Sequence, residues 1–166
     1  MKRNHGITLL GLVVALVLAT PAVSHAFGLL GVGGKVGMVD PEGGDGAPAV
    51  SAHLEFYQPG SSWNWHMMPS VMLWDSDQLT SVSGNFDMYY HFMPSRSATP
   101  YAGAGVGVHH YDFDGPGDTS TRLGLNLFGG LRFPTWHSHM FLEGRYTSSR
   151  ISQIGLMGGV TFIGGR

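Results

Sequence analysis

From Phe27 onward the chain alternates apolar and polar residues with a period of two, in stretches of nine to thirteen residues punctuated by Pro, Gly, Asp and Ser clusters. Successive side chains of a strand point to opposite faces of a sheet, so this period predicts strands. Eight are expected, over about 29–39, 48–57, 63–74, 82–93, 101–111, 122–133, 139–147 and 153–162. Helix is disfavoured: Gly-x-Gly-x-Gly at 103–107 would cost a helix about 1 kcal/mol per glycine relative to alanine. The chain is therefore read as all-β.

One face of every strand is apolar. It runs through Leu30, Val32, Val36 and Met38, then Val50 to Phe56, Trp63 to Leu73 and Val82 to Phe92, each in steps of two. The second half continues it through Ala102 to Val108, Leu123 to Phe133, Met140, Leu142, Tyr146 and Ile154 to Phe162. The charges within strands, Lys35, Glu55, Asp87, Arg122, Arg132, Glu143 and Arg145, all fall on the opposite face. A soluble barrel hides an apolar lumen behind a charged exterior, whereas a transmembrane barrel inverts this.

Composition selects between the two. Only 12% of the 166 residues are charged, against about 25% in ordinary soluble domains, and 26 are glycine. Forty or so outward positions in water would call for many more charges than seven. The reading is an eight-stranded antiparallel up-and-down transmembrane β-barrel, since closure leaves no unpaired backbone in lipid. Nine Lys plus Arg against eleven Asp plus Glu gives no basic surplus for nucleic acid, and the lack of cysteine excludes disulfides and thiolate metal sites.

Residues 1–26 read as a signal peptide: Lys2 and Arg3, the apolar run Ile7 to Leu18, and Ser24-His25-Ala26 before a cut. Residues 27–166 form the barrel domain. With the N-terminus periplasmic, outer loops are expected over 40–47, 75–81, 112–121 and 148–152, and inner turns over 58–62, 94–100 and 134–138. The first three outer loops come out longer, as in outer-membrane barrels. They hold Asp40, Glu42, Asp45, Asp75, Asp77, Asp112, Asp114 and Asp118, eight of the eleven acids, which predicts an acidic outer rim. Phe56, Trp63, Phe92, Phe133, Trp136 and Phe162 are expected as an aromatic girdle at the opposite rim.

The stretches Pro100-Tyr-Ala-Gly-Ala-Gly-Val-Gly-Val-His-His-Tyr-Asp-Phe-Asp-Gly115, Leu123-Gly-Leu-Asn-Leu-Phe-Gly-Gly-Leu-Arg-Phe133, Phe141-Leu-Glu-Gly-Arg-Tyr146 and Gly158-Gly-Val-Thr-Phe162 carry a family likeness. They resemble the outer-membrane β-barrel domain family of OmpA/OmpX-like proteins. The resemblance implies a Gram-negative protein of the cell outer membrane, inserted by the barrel-assembly machinery. The partners expected are outer-membrane lipid and lipopolysaccharide, with no nucleic acid and a monomeric state.

Candidate chemistry sits on the polar face. Lys35, His53, Glu55, His66, Asp87, His91, Arg122, Arg132, Glu143 and Arg145 are expected to form a lumen network, four cations against three carboxylates. His109 and His139 share that face. Glu55, His66 and His91 lie on neighbouring strands at similar heights and are the candidates for a zinc or nickel site, the alternative being a hydrogen-bonded filling of a narrow barrel. Asp112-Phe-Asp-Gly has the start of a calcium loop, but its twelfth position is Leu123 rather than Glu, which leaves an acidic hairpin tip. Catalysis at the lipid surface would need a nucleophile and base there. The lipid-facing set offers His110 alone, with Asp112, Ser120 and Ser148 as conceivable neighbours, and His137-Ser138-His139 falls at an inner turn.

The expected function is structural or surface-interactional, without catalysis or cofactor. The alternatives are a narrow porin-like channel for small solutes, a lipid A-modifying acyl enzyme and a soluble lipocalin-like carrier. Trp65 and Leu125 are expected to face lipid near the midplane.

Overall fold

The period-two pattern is realised as eight strands, each hydrogen-bonded to its neighbours in sequence. In the computed structural model the strands are β1 (Gly28–Pro41), β2 (Ala47–Tyr57), β3 (Trp65–Ser76), β4 (Leu79–His91), β5 (Thr99–Phe113), β6 (Thr119–Pro134), β7 (Ser138–Ser148) and β8 (Gln153–Ile163). The structure describes residues 28–57, 65–76, 79–92, 97–113 and 119–164. All pairs are antiparallel, and β1 joins β8 from Gly31 opposite Ile163 to Pro41 opposite Gln153, so the sheet closes on itself. Closure removes the edges that would otherwise present unpaired amides to lipid. The expected signal peptide and Trp63 lie outside the described residues.

Burial alternates as the sequence does. In β7 every second residue from His139 to Thr147 is buried while Met140, Leu142, Gly144 and Tyr146 are exposed. The exterior is thus a belt of large apolar side chains, among them Val36, Phe86, Val106, Leu125, Leu127 and Leu156. That arrangement excludes the lipocalin-like alternative, whose apolar face would point inward.

Four positions of the expected apolar face differ. A register shift between Leu29 and Gly31 makes a bulge in β1, which turns Leu29 outward and leaves Leu30 half-buried. Phe56 is buried: it is cross-strand partner of both Leu29 and Met67, and Met67 is buried with it. Phe56 therefore does not contribute to the girdle. Trp65 is the first residue of β3, opposite Tyr90, so it belongs to the rim and not to the midplane.

β1 begins and β8 ends at one rim, the terminal rim, where β2, β4 and β6 end and β3, β5 and β7 begin; at the opposite, distal rim β1, β3, β5 and β7 end and β2, β4, β6 and β8 begin. The expected difference in length is absent, because the strands run on into the stretches read as outer loops. Asp75 pairs with Thr80 and Asp112 with both Thr80 and Thr119, so these acids extend the hairpins β3–β4 and β5–β6 instead of ending them. Gly43, at φ +80°, makes the turn of the β1–β2 connection. Around the terminal rim Trp65, Phe92, Phe133, Trp136 and Phe162 are exposed, and Trp136, at 96%, stands clear of the barrel on a turn fixed by bonds from Thr135 to Ser138.

A neutral polar lumen as the candidate functional site

An eight-stranded barrel is just wide enough for side chains to fill, so the inward positions form a stack of layers. Glycine makes the space. Gly103, Gly105 and Gly107 face inward on β5, where an added Cβ would press into Tyr89 and Phe128, into the Asp87 carboxylate, and into Asn85 and His109. The Gly-x-Gly-x-Gly run is thus the floor against which the large residues of β4 and β6 lie. Gly105→Ala is expected to push Asp87 off its partners and cost about 1–3 kcal/mol by overpacking, read from urea unfolding in lipid vesicles; an unchanged midpoint would contradict this close approach.

The layer nearest the terminal rim is built around Glu55, which is buried. Its Oε1 accepts from the Tyr89 hydroxyl at 2.6 Å and lies 3.0 Å from His66 Nδ1 and 3.2 Å from Arg132 NH1. Its Oε2 is 2.7 Å from His139 Nε2. Arg132 NH1 donates to His91 Nε2 at 3.1 Å and its NH2 to His139 Nδ1 at 2.6 Å. A guanidinium can only donate, so His139 accepts at Nδ1 and carries its proton at Nε2, from which it donates to Glu55.

One layer further in, Glu143 accepts from Lys35 Nζ at 3.0 and 3.3 Å, from Arg145 Nε at 3.1 Å and from the Tyr101 hydroxyl at 3.1 Å. Arg145 NH2 bridges to Asp87 Oδ2 at 2.7 Å, and Asn126 Nδ2 donates to both Asp87 and Asn85 at 3.0 Å. The Arg145 guanidinium lies 4.6 Å from the Phe128 ring centre. His53 meets Thr161 at 2.8 Å. Buried charge is tolerable only when paired and hydrogen-bonded, and here three cations, Lys35, Arg132 and Arg145, answer three carboxylates, Glu55, Asp87 and Glu143.

Arg122 is not in this network. It is exposed, because β6 pairs with β7 only from Leu125 opposite Ser148 onward, and Arg122 projects above that point beside the distal rim. Among the described residues the expected excess of one cation becomes a balance. Glu55, His66 and His91 do come together, with the His66 and His91 rings 4.5 Å apart, but the Arg132 guanidinium contacts both Glu55 and the His91 imidazole and so stands between them. Among the described residues no group of three or more His, Asp or Glu is arranged to hold a metal.

Toward the distal rim the lumen turns apolar, which the alternation did not predict. Val39, Met72, Trp74, Tyr111 and Met157 form a buried cluster against which Ile151 packs. The β7–β8 connection folds over it: the Tyr111 and Ser149 hydroxyls are hydrogen-bonded, Ser149 donates to the Ile151 carbonyl at 3.0 Å, and the Glu42 amide donates to the Ser152 carbonyl at 2.7 Å. Arg150 lies over Phe113 at 5.5 Å. Between this cap and the terminal rim, a cavity of about 10 Å³ lined by Glu55, Tyr89, His91, Tyr101 and Arg132 has room for about one water molecule.

At the distal rim Asp40, Glu42, Asp45 and Asp75 are exposed and Asp112 half-buried; Asp77, Asp114 and Asp118 lie outside the described residues. On the outer surface His110 Nδ1 is 2.9 Å from Thr121 Oγ1. Neither serine expected near His110 joins it: Ser120 is buried on the inward face, and Ser148 sits opposite Leu125. Ser138, at the terminal rim, is bonded to Thr135 at 2.7 Å.

A closed antiparallel barrel with an apolar exterior and a paired polar interior defines an outer-membrane barrel. The outer membrane protein β-barrel domain family matches residues 9–162, and the chain belongs to it. No match is found among curated proteins. Among solved structures, Neisserial surface protein A is similar with a TM-score of 0.61 at 15% identity, over 82% of this chain and 96% of that one. Ail, the attachment invasion locus protein of Yersinia pestis, gives 0.53 at 14% identity over 82% and 97%. The outer membrane enzyme PagL gives 0.51 at 18% identity over 77% and 97%. The protein is thus an outer-membrane barrel whose fold is shared by surface proteins and by an enzyme.

Proposed function

We propose that this protein is a non-conducting, non-catalytic barrel with a structural and surface-interaction role. The observation that carries the reading is the lumen: among the described residues three cations are paired with three carboxylates, with an apolar cap above them and a cavity of only about 10 Å³ beside Glu55. A solute path would require the Glu55 and Glu143 clusters to part, leaving uncompensated buried charge. In planar bilayers the refolded protein is expected to give no discrete conductance steps; stable, salt-dependent steps would establish the porin-like reading instead.

The terminal rim faces the periplasm, so the acids of the distal rim face outward with Arg122 and Arg150 among them. Its partners are lipid and lipopolysaccharide around the belt, and the barrel-assembly machinery during insertion; the barrel acts as a monomer. The absence of cysteine allows a direct check of orientation. In intact cells Asp45→Cys is expected to react with an impermeant maleimide and Trp136→Cys to be silent; the reverse would invert the barrel.

The non-catalytic reading is supported by the outer surface. An acyl enzyme needs a nucleophile and an oriented base together, and His110 has Thr121 as its hydroxyl neighbour with both candidate serines elsewhere.

A further inference from the structure

The lipid-facing surface is not uniformly padded. On β3, β4 and β5, close to the terminal rim, a groove of about 670 Å³ is walled by Trp65, Met88, Tyr90 and Phe92 and floored by Ala102 and Ala104. The wall is an aromatic stack: Trp65 meets Tyr90 edge-to-face at 5.1 Å and Tyr90 meets Phe92 at 5.2 Å. The low floor continues across two more strands, because Ala102 pairs with Gly129 and Gly129 with Gly144, both outward.

In hydrocarbon there is no water to expel, so what settles on an apolar surface is decided by van der Waals fit, and an unfilled recess forfeits contacts on every side. Only an acyl chain or another barrel is available at this depth. A second copy would have to seat its own aromatic wall in this recess while this wall fills its recess in return; an acyl chain needs no such reciprocal match. The groove is continuous with the lipid-covered belt, and Trp65 and Tyr90 stand at its rim end, where indole and phenol rings favour the headgroup level.

We infer that this groove holds one acyl chain of a glycerophospholipid, with the headgroup beside Trp65 and Tyr90 and the chain running over Ala102 and Ala104 toward the midplane. The choice of phospholipid over lipid A rests on the terminal rim facing the periplasmic leaflet; the fit to an acyl chain does not.

The full mature chain is refolded into vesicles of phosphatidylethanolamine and lipopolysaccharide in equal mass, extracted in mild detergent, and weighed by native mass spectrometry. One phosphatidylethanolamine per barrel is expected to survive extraction, and Ala102→Leu/Ala104→Leu, which fills the floor, is expected to reduce it about tenfold. Val108→Leu, outward on the same strand but outside the groove, should leave retention unchanged. A heat-shifted gel band establishes that each variant is folded; if the double variant is not, Ala104→Leu alone takes its place with the same expectation. Retention of lipid A instead, a dimer, no bound lipid, or retention indifferent to the alanine substitutions would each overturn the inference. A reversed orientation would appear independently in the Asp45→Cys and Trp136→Cys labelling, which involves no groove residue.

Discussion

Glu143→Ala is expected to destabilise the barrel by about 3–5 kcal/mol, the largest loss of any single lumen substitution. Glu143 is fully buried and accepts from Lys35, Arg145 and Tyr101. Removing its charge leaves two buried cations, Lys35 and Arg145, with Asp87, at 2.7 Å from Arg145, as their one nearby carboxylate among the described residues. The cost comes less from the bonds lost than from the ammonium left without a counter-charge in a medium that cannot solvate it. The paired variant Lys35→Met/Glu143→Leu removes one charge of each sign, restores neutrality as two against two, and is expected to be more stable than Glu143→Ala. Urea unfolding in lipid vesicles, followed by tryptophan fluorescence, measures both. A double variant no better than the single would show that charge balance does not hold the lumen together.

On the outside the sign of the argument reverses. Leu127 is 59% exposed at the middle of β6, between Ala104 of β5 and Tyr146 of β7. Leu127→Arg places a guanidinium in hydrocarbon and is expected to cost about 2–4 kcal/mol, falling to about 0–1 kcal/mol for Trp65→Arg at the rim. The contrast between the two carries the test, since a soluble surface would accept arginine at either site. Equal and small losses would contradict the placement of the belt.

How far these features could be read from the sequence depends on what alternation encodes. Parity assigns a residue to a face, and by parity Lys35, Glu55, Asp87, Arg132, Glu143 and Arg145 share one face; the structure buries all of them except the half-buried Arg132. Parity says nothing about height. Arg122 has the parity of a lumen residue, yet it lies above the end of β7 and so has no opposite wall. The same blindness hid the apolar cap: Val39, Met72, Trp74, Tyr111 and Met157 occupy inward positions near the distal rim, where they break the polar pattern only locally.

Connection lengths failed for a related reason. Asp, Ser and Thr in 75–81 and 112–121 read as loop, but in antiparallel hairpins beside water such residues pair as readily as apolar ones. The network around Glu55 was legible in part. Strand adjacency brings His66 and His91 to its neighbourhood, His66 against Glu55 itself and His91 through Arg132, whereas Tyr89, His139 and Arg132 require the stagger of the closed barrel. The glycines of β5 carried a usable signal: three inward glycines in a row mark where large neighbours must cross the axis.

The central claim is that the apolar face is the exterior. It is tested most directly by refolding the mature chain with and without detergent and following heat-dependent gel migration together with β-sheet circular dichroism. Folding only in the presence of detergent or lipid, with a heat-shifted band, is the expected result. A folded, soluble monomer in buffer alone would contradict it, because Val36, Phe86, Val106, Leu125, Leu127 and Leu156 could not then all face the solvent.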